Sequence, residues 1–270
     1  FYNILSATDN TVEVTFKGDD KRSYDDEYEG VVTIPSQVTH GDATYRVTGI
    51  GDDTFRLCGT VSNVIIPASV TSIGSNAFEF CSNLDSIVIP SSVRSIGERV
   101  FHWCEDLTSV TLPDGLTAIS EGMFYRCGSL RNIEIPESVT SIGDNAFGSC
   151  PFTSLKIPEG VTSIGESAFF NCNIKSICIP KGVTSISKQL FWSCDSLTNI
   201  KLHDGITSIG YSAFSGCSAL TSINIPAAVT GIGDYAFVDC SSLTDINIPA
   251  AVTSIGYSAF QDCTGLTSFV

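Results

Sequence analysis

The sequence predicts an α/β, β-rich solenoid of about ten stacked coils, with a parallel β-sheet along one side. Three observations predict it. The string VTSIGDNAFGSC at residues 139–150 returns in related form along nearly the whole chain. The isoleucine of this string recurs with a period of about 23 residues, shortened by one position at two places. The first 45 residues depart from the unit, as the atypical end of a stack of repeats should.

Each repeat reads approximately L-x-x-I-x-I-P-x-x-V-T-S-I-G-x-x-A-F-x-x-C, and residues 243–263 are a clean example. The alternation in I-x-I predicts a β-strand. The proline that follows fixes its own φ and donates no hydrogen bond, so it ends the strand and starts a turn. We expect V-T-S-I-G to be extended and A-F-x-x-C to form a short helical or 3₁₀ turn. One coil cannot bury its apolar residues alone, so stacking is required.

Residues 1–45 are predicted to form an N-terminal β-hairpin cap, and residues 46–270 a single continuous domain of repeats. Segments 11–18 (TVEVTFKG) and 30–35 (GVVTIP) are interpreted as strands joined by an acidic stretch, and THGDATYR is expected to be a hairpin. No matching cap is expected at the C-terminus, where Phe269 and Val270 occupy strand positions. The chain is therefore expected to be a piece of a longer protein.

Charge and hydropathy exclude two classes of partner. Lys and Arg number 14 against 29 Asp and Glu, which gives a formal net charge of −15. Such a surface repels phosphate backbones, so no nucleic acid is expected as a partner. No apolar run approaches the roughly 18 residues that a membrane span needs, so no direct membrane insertion is expected either.

Ten of the eleven cysteines follow the repeat and form a column. Equivalent Cα atoms of stacked coils lie about 4.8 Å apart, but parallel Cβ vectors hold the Cβ atoms farther apart than a disulfide prefers. We therefore favour buried free thiols, and no metal site, because a straight column does not converge on an ion. Cys178, in the middle of I-x-I, should be exposed, either as a reactive thiol or as a chance surface substitution. The column comprises Cys58, Cys81, Cys104, Cys127, Cys150, Cys172, Cys194, Cys217, Cys240 and Cys263.

These motifs resemble the BspA-like family of leucine-rich repeats, in which I-x-I-P, V-T-x-I-G and A-F-x-x-C recur. The resemblance covers residues 46–270 and includes the approach from Tyr45 to Gly51. It implies a leucine-rich-repeat solenoid with the sheet on its concave face, in a microbial cell-surface or secreted protein that adheres to host proteins. The departures are His203 in place of proline, Met123 and Leu190 where alanine usually precedes phenylalanine, and the two shortened coils.

Two surfaces are candidates for ligand binding. The first, called here the strand-face row, is formed by the middle residues of I-x-I, which vary while their neighbours do not. This contrast fits either a recognition face or the drift of solvent-facing positions. Its members are Ile65, Val88, Thr111, Glu134, Lys156, Cys178, Lys201, Asn224 and Asn247.

The second candidate, called here the turn ridge, consists of aromatic residues between the Phe and Cys of the unit. Exposed aromatic side chains in a row can mark a protein or sugar interface. Packing of each ring against the neighbouring coil is the favoured alternative. Its members are Phe80, His102, Trp103, Tyr125, Phe170 and Trp192.

No catalytic residue, metal or cofactor is assigned. His40 lies in the expected hairpin, His102 on the turn ridge and His203 at a proline position, and none belongs to a cluster with ligand spacing. The expected function is a non-catalytic adhesion module that binds a partner protein, such as a host matrix or cell-surface protein, through the concave sheet. A structural spacer carrying another domain and a carbohydrate-binding accessory module, suggested by Trp103, Tyr125 and Trp192, stay open as alternatives.

Overall fold

The computed structural model describes residues 1–16 and 28–267. The chain divides into two compact units: unit 1 is Phe1–Leu116 with Ser120–Ser138, and unit 2 is Thr117–Ile119 with Val139–Val270. Both consist of stacked coils, and the ten repeat isoleucines bound nine complete turns. The predicted strand end at 17–18, most of the acidic connection, and Phe269 with Val270 lie outside the described residues.

Unit 1 contains ten described strands in two sheets. They are β1 (Tyr2–Ser6), β2 (Thr11–Val14), β3 (Gly30–Thr33), β4 (Gln37–His40), β5 (Ala43–Ile50), β6 (Val61–Ile65), β7 (Ser72–Ile73), β8 (Ser86–Val88), β9 (Ser95–Ile96) and β10 (Ser109–Thr111). One sheet has the order β1-β2-β5-β7-β9, with β4 also paired to β5, and the other has the order β10-β8-β6-β3. The second sheet holds the I-x-I strands.

Unit 2 repeats this arrangement with eleven described strands. They are β11 (Ala118–Ile119), β12 (Ser141–Ile142), β13 (Ser163–Ile164), β14 (Ser176–Cys178), β15 (Ser185–Ile186), β16 (Asn199–Lys201), β17 (Ser208–Ile209), β18 (Ser222–Asn224), β19 (Gly231–Ile232), β20 (Asp245–Asn247) and β21 (Ser254–Ile255). The V-T-S-I-G strands form the sheets β11-β12-β13 and β15-β17-β19-β21, and the I-x-I strands pair as β14-β16 and β18-β20.

The core of each unit is a set of identical residues stacked on one another. Pairing between coils is parallel and in register, for example Ile73 opposite Ile96. The phenylalanine of each repeat stacks on its equivalents, so that Phe214 lies between Phe191 at 5.6 Å and Phe237 at 5.2 Å, with nearly parallel rings. One sequence repeat is therefore one full turn of the coil, as predicted.

The expected short helical turns at A-F-x-x-C are wrong, because the described residues contain no helix. Three successive tight turns take their place, closed in one coil by amides that donate back to Gly143, Asn145 and Phe147. Asn145 and Ser149 have φ of 54° and 59°, which a right-handed helix does not admit. Their amides instead donate to carbonyls of the next coil, at 2.9 and 2.6 Å. The unit is thus a β-solenoid, and the α/β class is corrected accordingly.

The glycine after the repeat isoleucine is required by close approach of the preceding coil. A Cβ on Gly165 would lie 2.3 Å from Oδ1 of Asp144. That same carboxylate oxygen accepts a hydrogen bond from the Glu166 amide at 2.7 Å. Where serine replaces the glycine, as at Ser120, its hydroxyl donates to the carbonyl of Gly97 in the preceding coil.

The two strands predicted in residues 1–45 are present in part as β2 and β3, but they lie in different sheets and do not pair with each other. THGDATYR forms the hairpin between β4 and β5, with His40 opposite Ala43, and GVVTIP supplies β3. Strand β1 was not predicted; it pairs antiparallel with β2. The boundary between cap and repeats at residue 45 stays a prediction.

Candidate functional site

The strand-face row lies where the sequence predicts it. In each I-x-I strand the flanking apolar residues are turned into the core and the middle residue points to solvent, because successive side chains of a strand alternate between faces. All nine residues of the row are exposed. Unit 1 carries Ile65, Val88, Thr111 and Glu134, and unit 2 carries Lys156, Cys178, Lys201, Asn224 and Asn247.

The unit 1 part of the row contains an apolar patch. Ile65 is 52% exposed and Val88 64%, and on the neighbouring strand β3 the exposed Val31 is opposite Asn63. Together with Ala68 and Pro90 the two row residues line a surface groove of about 380 Å³. Single exposed apolar residues are ordinary, but adjacent ones over a groove mark a surface that favours contact with another molecule.

The unit 2 part of the row is polar and carries positive charge. Cys178 and Lys201 are opposite each other in β14 and β16, and Asn224 is opposite Asn247 in β18 and β20. Lys156 precedes them in chain order and is also exposed. Since the whole chain has a net charge of −15, Lys156 and Lys201 form a local exception on this face.

The turn-ridge residues of unit 1 pack against one another. The rings of Phe80 and Trp103 stack at 5.7 Å, and those of His102 and Tyr125 stack at 5.1 Å. The guanidinium of Arg126 lies 4.2 Å from the centre of the Trp103 ring. The faces of these rings are thus covered by neighbouring side chains, and mainly the ring edges are exposed to solvent. A sugar stacks on the face of an aromatic ring, so this arrangement is unfavourable for carbohydrate binding.

Charged groups flank this cluster. Glu79 is buried, forms an ion pair with Arg56 of the preceding coil, and lies 3.1 Å from Nδ1 of His102 in the following coil. Burial acts to raise the pKa of the Glu79 carboxyl, but hydrogen bonds and attraction from His102 and Arg56 lower it, and the net result is a pKa below its usual value. Through these contacts Glu79 links three successive coils, which is a structural role for this ion-pair network.

In unit 2 the ridge is represented by Phe170 and Trp192, whose ring centres lie 5.0 Å apart. Unit 2 also has a second aromatic row that was not predicted, formed by Tyr211, Tyr235 and Tyr257. Their rings meet edge to face at 5.7 and 5.5 Å, and the first and last are well exposed. Tyr235 stands one place later in its repeat than the other two, so the row is inconspicuous in the sequence.

The cysteine column consists of buried free thiols, as predicted, and Cys178 is exposed. Thiols of the column donate hydrogen bonds to the phenylalanine carbonyl of the preceding coil, for example Cys81 to Phe55 at 3.0 Å and Cys217 to Phe191 at 3.1 Å. Burial raises the pKa of both thiols well above its usual value, so they stay protonated. They act as small core residues that also satisfy a carbonyl.

His203 has a structural role. His203 replaces the turn proline structurally: its Nε2 lies 2.9 Å from the carbonyl of Val183, and its Nδ1 accepts from the Gly205 amide. Within residues 1–16 and 28–267, no group of three or more His, Cys, Asp or Glu is placed to hold a metal ion. No helix in these ranges has the length and apolar character that crossing a bilayer requires.

Stacked parallel coils of about 23 residues, with apolar residues at fixed places in every turn, define a leucine-rich-repeat protein. A family model described as the BspA type leucine rich repeat region matches residues 35–152 and 140–267. The chain belongs to this family. Its members are generally protein-interaction modules without catalytic activity.

Solved structures agree. The chain is similar to a leucine-rich cell surface protein from Faecalibacterium prausnitzii, with 31% identity and a TM-score of 0.51 over 99% of this chain and 92% of that one. A leucine-rich-repeat protein from Bacteroides ovatus shows 29% identity and a TM-score of 0.51 over 100% and 92%. The pneumococcal vaccine antigen PcpA, 22% identical, shares the fold with a TM-score of 0.65 over 99% and 78%. A comparison with curated proteins gives no match.

Proposed function

We propose that this chain is an adhesion module of a bacterial cell-surface or secreted protein, and that it binds a partner protein through the strand-face row. The family supports protein binding in general, and the Faecalibacterium relative is described as a cell surface protein. The exposure of all nine row residues supports this choice of surface, since these positions vary while the apolar residues beside them are kept.

One observation carries the proposal: the row places Ile65 and Val88 side by side in solvent, above a groove of about 380 Å³. Burying such residues against a partner gains roughly 25 cal/mol per Å² of apolar area. These two adjacent apolar side chains stand out in the row, because its other positions except Cys178 are polar or charged. The groove is of a size to take one apolar side chain of a partner protein.

The lysines of unit 2 add a second component. Lys156 and Lys201 favour an acidic partner surface, and rim charges of this kind act mainly on the association rate and its salt dependence. We expect the apolar pair to govern the dissociation rate and the lysine pair to govern the association rate.

The test measures binding to a panel of purified host extracellular-matrix proteins by surface biosensor. Ile65→Lys with Val88→Lys should weaken binding at least tenfold, and Lys156→Glu with Lys201→Glu should slow association. Matched controls are Tyr211→Lys with Tyr257→Lys, which places two lysines at exposed aromatic positions off the row, and Lys175→Glu with Lys181→Glu, which makes the same charge change off the row. Binding that the row variants and their controls affect equally, or no binding by the unmodified chain, would count against the proposal.

A further inference from the structure

Strand β1 of the cap has an unusual concentration of exposed apolar side chains. Phe1 is 51% exposed, Tyr2 40%, Ile4 57% and Leu5 52%. The strand sequence YNILS has neither the charged residues nor the proline with which proteins commonly protect the edge of a sheet. Among the described residues β1 pairs with β2 alone and is the last strand of its sheet.

Within residues 1–16 and 28–267, the outer backbone edge of β1 also has no strand partner. Tyr2 is opposite Val14 and Ile4 is opposite Val12, while the Thr15 amide donates to the Phe1 carbonyl at 3.0 Å. In an antiparallel ladder successive residues point their N–H and C=O groups alternately toward and away from the neighbouring strand. Since Phe1 faces β2, the N–H and C=O groups of Tyr2 and Ile4 face away from it.

The side chains of the same two residues border a cavity. Tyr2 and Ile4 lie on one face of the cap sheet, where they line a surface groove of about 580 Å³ together with Val12, Val38 and Tyr45. An added strand at this edge would extend the apolar floor of the groove. Open backbone groups and exposed apolar side chains thus coincide at the same two residues.

We propose that β1 pairs antiparallel with β1 of a second copy of this chain, and so joins two caps into one continuous sheet. The two-fold axis passes beside Asn3, and Tyr2 of each copy faces Ile4 of the other. This register lets the outward groups of both residues form four inter-chain hydrogen bonds. It also makes two identical Tyr–Ile cross-strand pairs, which are favourable contacts on a sheet face.

A second copy fits this edge because the segment Tyr2–Ile4 is complementary to itself in that register and contains no charge. The β-bulge between Ile4 and Ser6 limits the paired stretch to about these three residues. The interface is therefore small, and the dimer is expected to be weak and to form only at high protein concentration. The net charge of −15 on each copy opposes association, so added salt should strengthen the dimer.

The first test is sedimentation velocity over a concentration series of the purified chain. Ile4→Lys should weaken dimerisation at least tenfold by placing two charges in the apolar pairs. Ile4→Pro should do the same by removing an outward N–H, which an edge strand tolerates because β2 does not use it. Val88→Lys adds the same charge at an equally exposed site and should leave the dimer unchanged. An unmodified chain that stays monomeric throughout the series overturns the proposal, as does a dimer that only Val88→Lys disrupts.

The second test fixes the register. Residues 3 of the two copies would form a non-hydrogen-bonded pair with Cα atoms about 4.5 Å apart, within the range of a disulfide. Asn3→Cys in a Cys178→Ser background should form a cross-linked dimer with a copper–phenanthroline oxidant, whereas Thr44→Cys, exposed on β5, should not. Equal cross-linking of both variants overturns the predicted register. Because Ile4→Lys, Ile4→Pro and Asn3→Cys lie off the strand-face row, the dimer can fail without the proposed adhesive function failing, and the reverse.

Discussion

Phe214→Ala is the substitution that most directly tests whether the stack of phenylalanine rings holds the coils together. The ring is fully buried and lies between Phe191 at 5.6 Å and Phe237 at 5.2 Å. Truncating a buried phenylalanine costs about 3–5 kcal/mol, and loss of two stacked neighbours places this site in the upper half of that range. We expect the free energy of unfolding to fall by about 4–5 kcal/mol, measured by urea denaturation followed by circular dichroism.

The matched control is Phe260→Ala, at the same place in the last described coil. The ring centres of Phe260 and Phe237 lie 5.3 Å apart, and Phe260 is partly exposed. Less apolar area is lost there, so the expected cost is about 2 kcal/mol. If the two substitutions cost the same, or if Phe214→Ala costs less than about 2 kcal/mol, ring stacking does not dominate the cohesion of the coils and the reasoning is refuted.

Three further predictions concern the interlock of coils, the buried acid and the thiols. Gly165→Ala brings a Cβ to 2.3 Å from Asp144 and should cost about 2–3 kcal/mol in a thermal melt, whereas Gly128→Ala, with 3.6 Å to the nearest atom, should change little; equal effects would contradict the close-approach argument. Because the pKa of Glu79 is lowered in the folded state, its contribution is present at neutral pH and lost below about pH 4.5. The stability advantage over Glu79→Gln should therefore decline steadily as the pH is lowered through the acidic range, and an advantage that does not change with pH would argue against the ion pair. A thiol reagent should titrate one cysteine of the native chain, Cys178, and all eleven in denaturant.

The sequence alone was sufficient to predict the repeat, its length, and which side chains of the I-x-I segments face the core and which face solvent. These follow from spacing, because Ile73 and Ile96 can stack only if the chain completes one turn between them. The burial of the cysteine column and the exposure of Cys178 follow from the same argument. Strand β1 escaped prediction because its alternation of apolar and polar residues covers only Tyr2, Asn3 and Ile4 and stops at Leu5, which is shorter than a strand signal requires.

The turns could not be predicted correctly for a physical reason. A-F-x-x-C has the composition of a short helix, and the choice against helix is made by hydrogen bonds to the next coil. Asn145, Gly122 and Asp239 do favour positive φ, which was an available signal. Phe80 and Trp103 adopt the same conformation without any such preference, since inter-coil hydrogen bonding overrides it.

The exposure of the strand-face row was predicted from the sequence, but the shape of the surface around it was not. Alternation within I-x-I fixes which side chains reach solvent, whereas the groove beside Ile65 and the packing of Trp103 under Arg126 depend on how neighbouring coils meet. The spacing of the repeat predicts which residues form the row, whereas the groove beside them is visible only in the three-dimensional structure. Which partner binds depends on the shape of this groove and on the partner's own surface.

The thiol column also governs what happens when the protein unfolds. In the folded chain the column thiols are buried, so an oxidising medium acts mainly on the exposed Cys178. Unfolding exposes all eleven thiols of the flexible polypeptide chain to the medium. Non-native disulfides then form between these thiols, and they prevent the chain from refolding. In such a medium the lifetime of the protein is set by its rate of unfolding rather than by its equilibrium stability.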